Sequence, residues 1–369
     1  MNVIFTCGGT AGHVNPALAL AGYMKKKDPT ARLLFVGTPT GMEKGLVEKA
    51  GYPFAGVEIS NFHRSVKELR HNLHTLHTMA TSQRAARRIL RDFRPDLVVG
   101  TGGYASYPMV HAAAKAGIPT AVHESNMVPG LTTKLLEKSA GRIMVGFEEC
   151  RAHYKHPEKI VVTGTPVRGD FFDLTPAQAR EKLGLGGDKP LIVSFWGSLG
   201  AGGMNRQMLD FLRAEKQANY PFRHIHACGK GSWEEMETAI RQEGLTHPCL
   251  DVRQYIYDMA VVMRAADLVI CRAGASTISE LTALGMPAII VPSPYVTANH
   301  QEKNARVLEN HGGAVVLTEQ ESSGEKLFQT ARDILGDESR RAAMAKAMAS
   351  LGILDATERI YDTVMGLVR

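Results

Sequence analysis

Residues 5–20, FTCGGTAGHVNPALAL, pass from the end of a β-like run through Gly8-Gly9-Thr10-Ala11-Gly12 to a histidine, then into an apolar pattern of helical period. Strand, glycine-rich turn and helix in that order open a βαβ unit, the repeating element of parallel α/β folds. Residues 191–209, LIVSFWGSLGAGGMNRQML, repeat the order. Two such starts in one chain predict two related halves.

NVIFT, RLLFV, DLVVG, TAVHE and RIMVG in the first half, and LIVSF, RHIHAC, DLVIC and AIIVP in the second, alternate with helical patterns. These runs are continuously apolar, as parallel strands covered on both faces must be. The expected fold is α/β: two Rossmann-type domains, each with a doubly wound parallel sheet, facing each other across a cleft. A length of 369 residues is more than one hydrophobic core usually spans. The break falls in residues 161–176, VVTGTPVRGDFFDLTP, where Thr175 and Pro176 read as the N-cap and first residue of the next helix. The domains are then 1–165 and 166–353.

No apolar run approaches the roughly 20 residues that cross a bilayer, and MNVIFTC lacks the pattern of a signal peptide, so a cytoplasmic protein is expected. Cys7, Cys150, Cys228, Cys249 and Cys271 are scattered and form no CxxC, which reads as buried free thiols. The charge is concentrated: Arg64, Lys67, Arg70, Arg84, Arg87, Arg88, Arg91 and Arg94 face only Glu68 and Asp92, an excess equal to the +6 of the whole chain. In the same segment Leu69, Leu73, Leu76 and Met79 recur at helical spacing, the makeup of a helix lying on an anionic surface. His71, His74 and His77 have no carboxylate beside them and read as one side of that helix, not as metal ligands.

A glycine turn between a parallel strand and a helix brings backbone N–H groups close to a ligand, and phosphate is the usual guest. Neither turn is GxGxxG, which disfavours a dinucleotide oxidoreductase. A third turn follows DLVIC, at Arg272-Ala273-Gly274-Ala275-Ser276-Thr277. There Ser276 or Thr277 with Glu280 reads either as a capping box or as a site whose acidic group meets the hydroxyls of a ribose. Arg168, in GTPVR, is placed to reach a diphosphate.

Together GGTAGHVNPALALA, GGYASYP, HESNMVPG, GTPVR, GSLGAGGMN, CRAGASTISELTALGMPAIIVP and NHQEKNA resemble, in order, the motifs of the MurG family, over nearly the full chain. These are GT-B glycosyltransferases that move N-acetylglucosamine from UDP-N-acetylglucosamine to the undecaprenyl-diphosphate-linked muramoyl pentapeptide of cell-wall synthesis. The resemblance implies that Thr10, Ala11 and Gly12 line the donor sugar and the acceptor side, and that Asn126 bonds the sugar. Arg168 and Ser198 would hold the diphosphate, Ile256 the uracil, and Gln301 hydroxyls of the amino sugar. Ala275, Ser276, Thr277, Ile278, Ser279 and Glu280 would wrap the uridine and phosphates, with Glu280 on the ribose. It further implies a last helix, about 354–369, that returns to an acceptor- and membrane-facing first domain, and a peripheral enzyme on the cytoplasmic face of the membrane. Ala11, Met127, Trp196 and Leu199 depart from the family pattern: three stand where it has glycine, and Leu199 where it has glutamine.

The reaction so implied is displacement at the anomeric carbon by the muramoyl 4-hydroxyl, which must lose a proton. His13, at the head of a glycine loop, is the expected base, worth about 10²–10⁴ in rate, with Glu124 the alternative. No D-x-D occurs in the sequence, and metal-independent chemistry is expected, with the leaving diphosphate met by helix N-termini and arginine. No cofactor and no nucleic-acid partner are expected. A nucleotide-sugar epimerase of the same architecture and a non-catalytic nucleotide-sugar sensor at the membrane remain the alternatives.

Overall fold

The computed structural model describes residues 1–59, 69–197, 199–296 and 299–368, and for 69–80 the backbone path only. The chain forms two compact units, Met1–Val167 with Ile353–Arg369, and Arg168–Gly352.

The first unit carries β1 (Asn2–Thr6), α1 (Ala11–Lys27), β2 (Arg32–Gly37), α2 (Met42–Lys49), β3 (Phe54–Gly56), α3 (Leu69–Phe93), β4 (Leu97–Gly100), α4 (Ser106–Lys115), β5 (Thr120–Glu124), α5 (Leu131–Leu136), β6 (Arg142–Val145) and β7 (Ile160–Val162). Its seven strands are all parallel, in the order β3-β2-β1-β4-β5-β6-β7. β4, LVVG, is buried along its whole length, which explains its unbroken apolar character, and β5 is equally buried although it ends in His123 and Glu124. Phe5 stacks on Phe35 at 5.1 Å in the core.

The second unit carries α6 (Pro176–Lys182), β8 (Leu191–Phe195), α7 (Gly202–Gln217), β9 (Arg223–Ala227), α8 (Trp233–Gln242), β10 (Leu250–Arg253), α9 (Met259–Ala265), β11 (Leu268–Cys271), α10 (Ala275–Leu284), β12 (Ala288–Ile290), α11 (His300–Asn310), β13 (Ala314–Val316), α12 (Gly324–Leu335) and α13 (Glu338–Leu351). Its parallel order is β10-β9-β8-β11-β12-β13. Thr175 caps α6 in a full capping box with Gln178, and Pro176 takes the first helical position, as the sequence predicts. The last helix, α14 (Ala356–Met365), puts Ile360 and Val364 into the core of the first unit and sets Tyr361 edge-on to Tyr23 at 5.3 Å.

Each sheet reverses its winding once, between β1 and β4 and between β8 and β11. Ligands of open α/β sheets gather at the carboxyl ends of strands at such points. The glycine turns after β1 and β8, and the turn after β11, all leave from there.

The core of the second unit also holds a buried polar chain. Ser194 Oγ lies 2.7 Å from His224 Nε2 and 2.7 Å from His226 Nδ1, and His224 Nδ1 lies 3.1 Å from Glu215 Oε2. None of the four is more than 1% exposed, so this Glu-His-Ser arrangement has no access to a substrate. Burial holds His226 neutral, its pKa pushed down to about 3, with His224 adding to the effect. The cysteines are free, four of them buried and Cys249 half-buried. Among the described residues no helix is long and apolar enough to cross a membrane.

Candidate active site

In the first unit the chain leaves β1 at Thr6, and Gly9 adopts φ +86°, a left-handed conformation that favours glycine. Thr10 then starts α1 as its N-cap, and His13 is the third helical residue. His13 Nδ1 lies 2.8 Å from the carbonyl of Gly8, with the Thr10 hydroxyl at 3.3 Å. A carbonyl only accepts, so the ring donates from Nδ1 and the lone pair of the neutral imidazole sits on Nε2. The turn after β4 completes the seat. Thr101 Oγ1 donates to the His13 carbonyl at 2.6 Å, and Gly102, at φ +109°, passes so close that a Cβ there would stand 2.6 Å from His13 Cδ2. Thr10 is exposed, while Ala11, Gly12 and His13 are half-buried.

Glu124, at the end of β5, is only 5% exposed and its carboxylate is fully engaged. Oε1 accepts from the backbone and side-chain amides of Asn126, both at 3.1 Å. Oε2 accepts from Gly130 N at 3.0 Å and Thr133 Oγ1 at 2.8 Å. Four donors from its own loop make Glu124 a clamp that shapes residues 125–130 and presents Asn126.

In the second unit a cavity of 560 Å³ opens over the glycine turn after β8, walled by Trp196, Arg272, Thr277, Tyr295, Gln301 and Glu319. Gln301 Oε1 accepts from Ser293 N at 2.9 Å, which orients its amide, and the amide NH₂ makes no bond among the described residues. Arg272 pairs with Glu319, donates to the Val291 carbonyl at 3.0 Å and lies 5.9 Å over the Trp196 ring. α10 starts at Ala275 with Gly274 as N-cap and no side-chain cap bond. Ser276 and Thr277 therefore sit inside the first turn and Glu280 at the sixth position, too far along to reach back, so the capping-box reading is overturned. Ile278 and Ser279 are buried, the Ser279 hydroxyl donating to the Ala275 carbonyl at 3.0 Å.

Glu280 accepts no hydrogen bond among the described residues. Burial pushes its carboxyl up to about 7; the positive charge of Arg168 opposes the shift and Asp170 adds to it. Arg168 is 57% exposed, pairs with Asp170 at 3.4 Å and lies 5.4 Å over Phe171. Ile256 is buried at 2%, and its flanking Tyr255 and Tyr257 are exposed, with rings 4.9 Å apart. Ser198 lies outside the described residues, as do the side chains of Leu69, Leu73, Leu76, Met79, His71, His74 and His77 and all of Arg64 and Lys67.

The structure thus brings Thr277 and Gln301 to one cavity, sets Glu280 within the field of Arg168, and places His13, Glu124 and Asn126 in the other unit. Of the bulky departures, Trp196 and Met127 are buried, Trp196 also walling the cavity, and Leu199 stands 78% exposed. The sequence alone assigns no role to Arg272, Glu319, Tyr295 or Glu43. The strand-end position of Arg272 signals it, but its partner is 47 residues away and nothing local marks the pair.

Residues 3–145 match the glycosyltransferase family 28 N-terminal domain, and residues 191–360 match its C-terminal domain. The chain is 41% identical to a UDP-N-acetylglucosamine–N-acetylmuramyl-(pentapeptide) pyrophosphoryl-undecaprenol N-acetylglucosamine transferase of Acetivibrio thermocellus, over 100% of this chain and 99% of that one. A Listeria monocytogenes protein of the same description is 40% identical over the whole of both chains. Among solved structures, the MurG of Acinetobacter baumannii superposes with a TM-score of 0.79 at 27% identity, covering 99% of each chain.

Proposed function

The chain belongs to the MurG family within glycosyltransferase family 28, and on that premise we infer an enzyme that transfers N-acetylglucosamine from UDP-N-acetylglucosamine to lipid-linked N-acetylmuramoyl pentapeptide. The transfer inverts the anomeric centre, with the muramoyl 4-hydroxyl as nucleophile. The observation that carries the mechanism is His13: Nδ1 is committed to the Gly8 carbonyl, which leaves Nε2 as a lone pair at the mouth of a glycine loop. Nε2 takes the hydroxyl proton, the oxygen bonds to the anomeric carbon, and the bond to the diphosphate oxygen breaks to release UDP.

The donor belongs to the second unit, residues 166–353, and the acceptor to the first. Charge on the departing diphosphate is met by the uncapped first turn of α10 at Ala275, Ser276 and Thr277, and by Arg168. Ser198 is assigned to the same diphosphate by family resemblance. Glu280, a carboxylate that accepts no hydrogen bond among the described residues, takes the paired ribose hydroxyls, and the Gln301 amide NH₂, equally without a bond among them, reads the sugar. Ile256 lies under the uracil with its backbone. Thr10, Ala11, Gly12 and Asn126 meet the sugar and the acceptor, and Glu124 holds Asn126 in place. UDP release on mixing donor with a lipid-linked acceptor, and not without acceptor, tests the transfer. His13→Ala should keep donor binding and lose about 10²–10⁴ in turnover. Near-normal turnover in that variant moves the base elsewhere.

The acceptor's polyprenyl chain stays in the bilayer, so the enzyme works as a peripheral protein at the cytoplasmic face, docked through the first unit. Three features support this. Successive right-handed crossovers from β3 to β6 put α3, α4 and α5 on one face of the sheet. Arg84, Arg87 and Arg88 are exposed on α3, and Leu131 and Leu135 are exposed on α5 at 60% and 55%.

A further inference from the structure

The carbonyl that orients His13 and the N–H of Gly9 are two ends of one planar peptide group, so whatever holds the N–H also fixes the carbonyl. Glu43, in the first turn of α2, is fully buried. Its Oε2 accepts from Gly9 N at 3.4 Å, and its Oε1 from Thr38 N at 2.8 Å and Thr38 Oγ1 at 2.6 Å. Burial raises its carboxyl, but the Thr38 hydroxyl and amide, its own amide and that of Gly9 outweigh this, and the group sits below the usual carboxylate range. A buried ionised carboxylate therefore bears on the first glycine loop.

The surrounding packing is cut to fit it. A Cβ at Gly8 would stand 2.9 Å from Glu43 Oε1, one at Gly37 would stand 2.6 Å from Cγ, and one at Gly41 would stand 2.3 Å from Oε2. Gly103, at φ +79°, closes the other side, where a Cβ would stand 2.1 Å from the Gly8 oxygen. The neighbouring titratable groups just after β1 and on β5 are neutral: burial, helped by the charge of Glu43, pushes the Cys7 thiol up to about 12, and burial lowers His123.

We propose that Glu43, the Gly8–Gly9 peptide and His13 form a relay in which the carboxylate holds and polarises the peptide, and the peptide in turn fixes the His13 tautomer that leaves Nε2 free. Charge at one end of a hydrogen-bonded chain strengthens the bond at the other, so the Gly8 oxygen is a better acceptor with Glu43 in place. Glu43 touches no reacting atom and is a positioning residue; the proposal rests on the reading of His13 as the base.

Nitrogen-15 spectra of histidine-labelled protein, with the His13 signals assigned by their loss in His13→Asn, test the relay independently of turnover. In the native protein the neutral His13 ring should carry its proton on Nδ1. Glu43→Gln keeps the Thr38 bonds through its oxygen but sets an NH₂ against the Gly9 N–H. It should yield a mixture of both tautomers and lower kcat about tenfold, with the donor KM changed less than about twofold. A Glu43→Gln protein with the native tautomer and native kcat overturns the relay. Should that variant fail to fold, the native spectra decide, and a neutral ring protonated at Nε2 overturns it. Near-normal turnover of His13→Ala would instead refute the base assignment, leaving the tautomer result to judge the relay.

Discussion

A partly desolvated carboxylate with nothing to accept from is destabilising until a ligand supplies donors, and Glu280, half-buried and without a hydrogen bond among the described residues, is in that position. Its folded pKa of about 7 lies above the ordinary carboxyl value, so between those two pH values the folded state binds more protons than the unfolded one. Unliganded stability should then fall as pH rises from about 4.5 to 7 and level off above. Ribose hydroxyls donate best to the ionised form, so donor binding should run the other way and strengthen through pH 7. Calorimetric titration of UDP-N-acetylglucosamine should give a Kd about tenfold weaker at pH 6 than at pH 8. Glu280→Gln should bind more weakly at both and lose the slope. A pH-independent native Kd would remove Glu280 from the ribose. His13 and Glu124 show how far residue type alone can be read. Both are plausible bases in the sequence, and they part only when hydrogen bonds are counted: one acceptor fixes a single nitrogen of His13, and four donors saturate Glu124.

At the level of elements, the central strands are legible because burial on both faces leaves a mostly apolar run, interrupted in places, as in β5 and β9, by buried polar side chains. The four strands that the pattern misses, β3, β7, β10 and β13, are the two edges of each sheet. Each is short, and β10, with sequence LDVR, has no fully buried residue, so neither length nor composition sets it apart from loop. The start of α10 is misread for a related reason: a hydroxyl followed by a glutamate at capping spacing is a local signal, and the end of β11 at Cys271 overrides it by starting the helix at Ala275. Nor does the sequence reveal the Glu215–His224–Ser194–His226 chain, whose members come from three elements. Ser194 is its joint, bonded to both rings at 2.7 Å. Ser194→Ala should leave two buried ring nitrogens unpaired and cost about 1–3 kcal/mol, read as a lower urea midpoint with m unchanged. Ser194→Cys, which keeps a weak donor and acceptor, should recover part of the loss. A neutral Ser194→Ala would mean that the chain contributes no net stability.

At the scale of the molecule, each unit brings a glycine turn and a second loop to one winding reversal, and this shared plan is what the repeated strand–turn–helix order encodes. What differs between the units is their outer surface. The first has an exposed cationic run at Arg84, Arg87 and Arg88 on α3, and an apolar pair at Leu131 and Leu135 one turn apart on α5. Arg88 pairs with Asp92 only at 3.7 Å, with both side chains largely exposed, so that contact neutralises little of the run. Near an anionic leaflet each such cation contributes about 1 kcal/mol, whereas each exposed leucine adds at most about 1.5–3 kcal/mol if it is wholly buried. If this face meets the membrane as proposed, charge draws the protein to the surface and the leucines set the depth, so binding should be reversible and weaken steeply as salt shortens the Debye length. Reversing Arg84, Arg87 and Arg88 to Glu changes the local charge by six units and should abolish co-sedimentation with vesicles of anionic lipid. Turnover of a short-chain soluble acceptor should stay close to native, because none of the three belongs to the site. Leu131→Asp with Leu135→Asp should weaken binding even at low salt, where attraction between the arginines and lipid is strongest. If the triple charge reversal still sediments with anionic vesicles at low salt, the docking surface lies away from α3, and the basic run is a solvated helix face only.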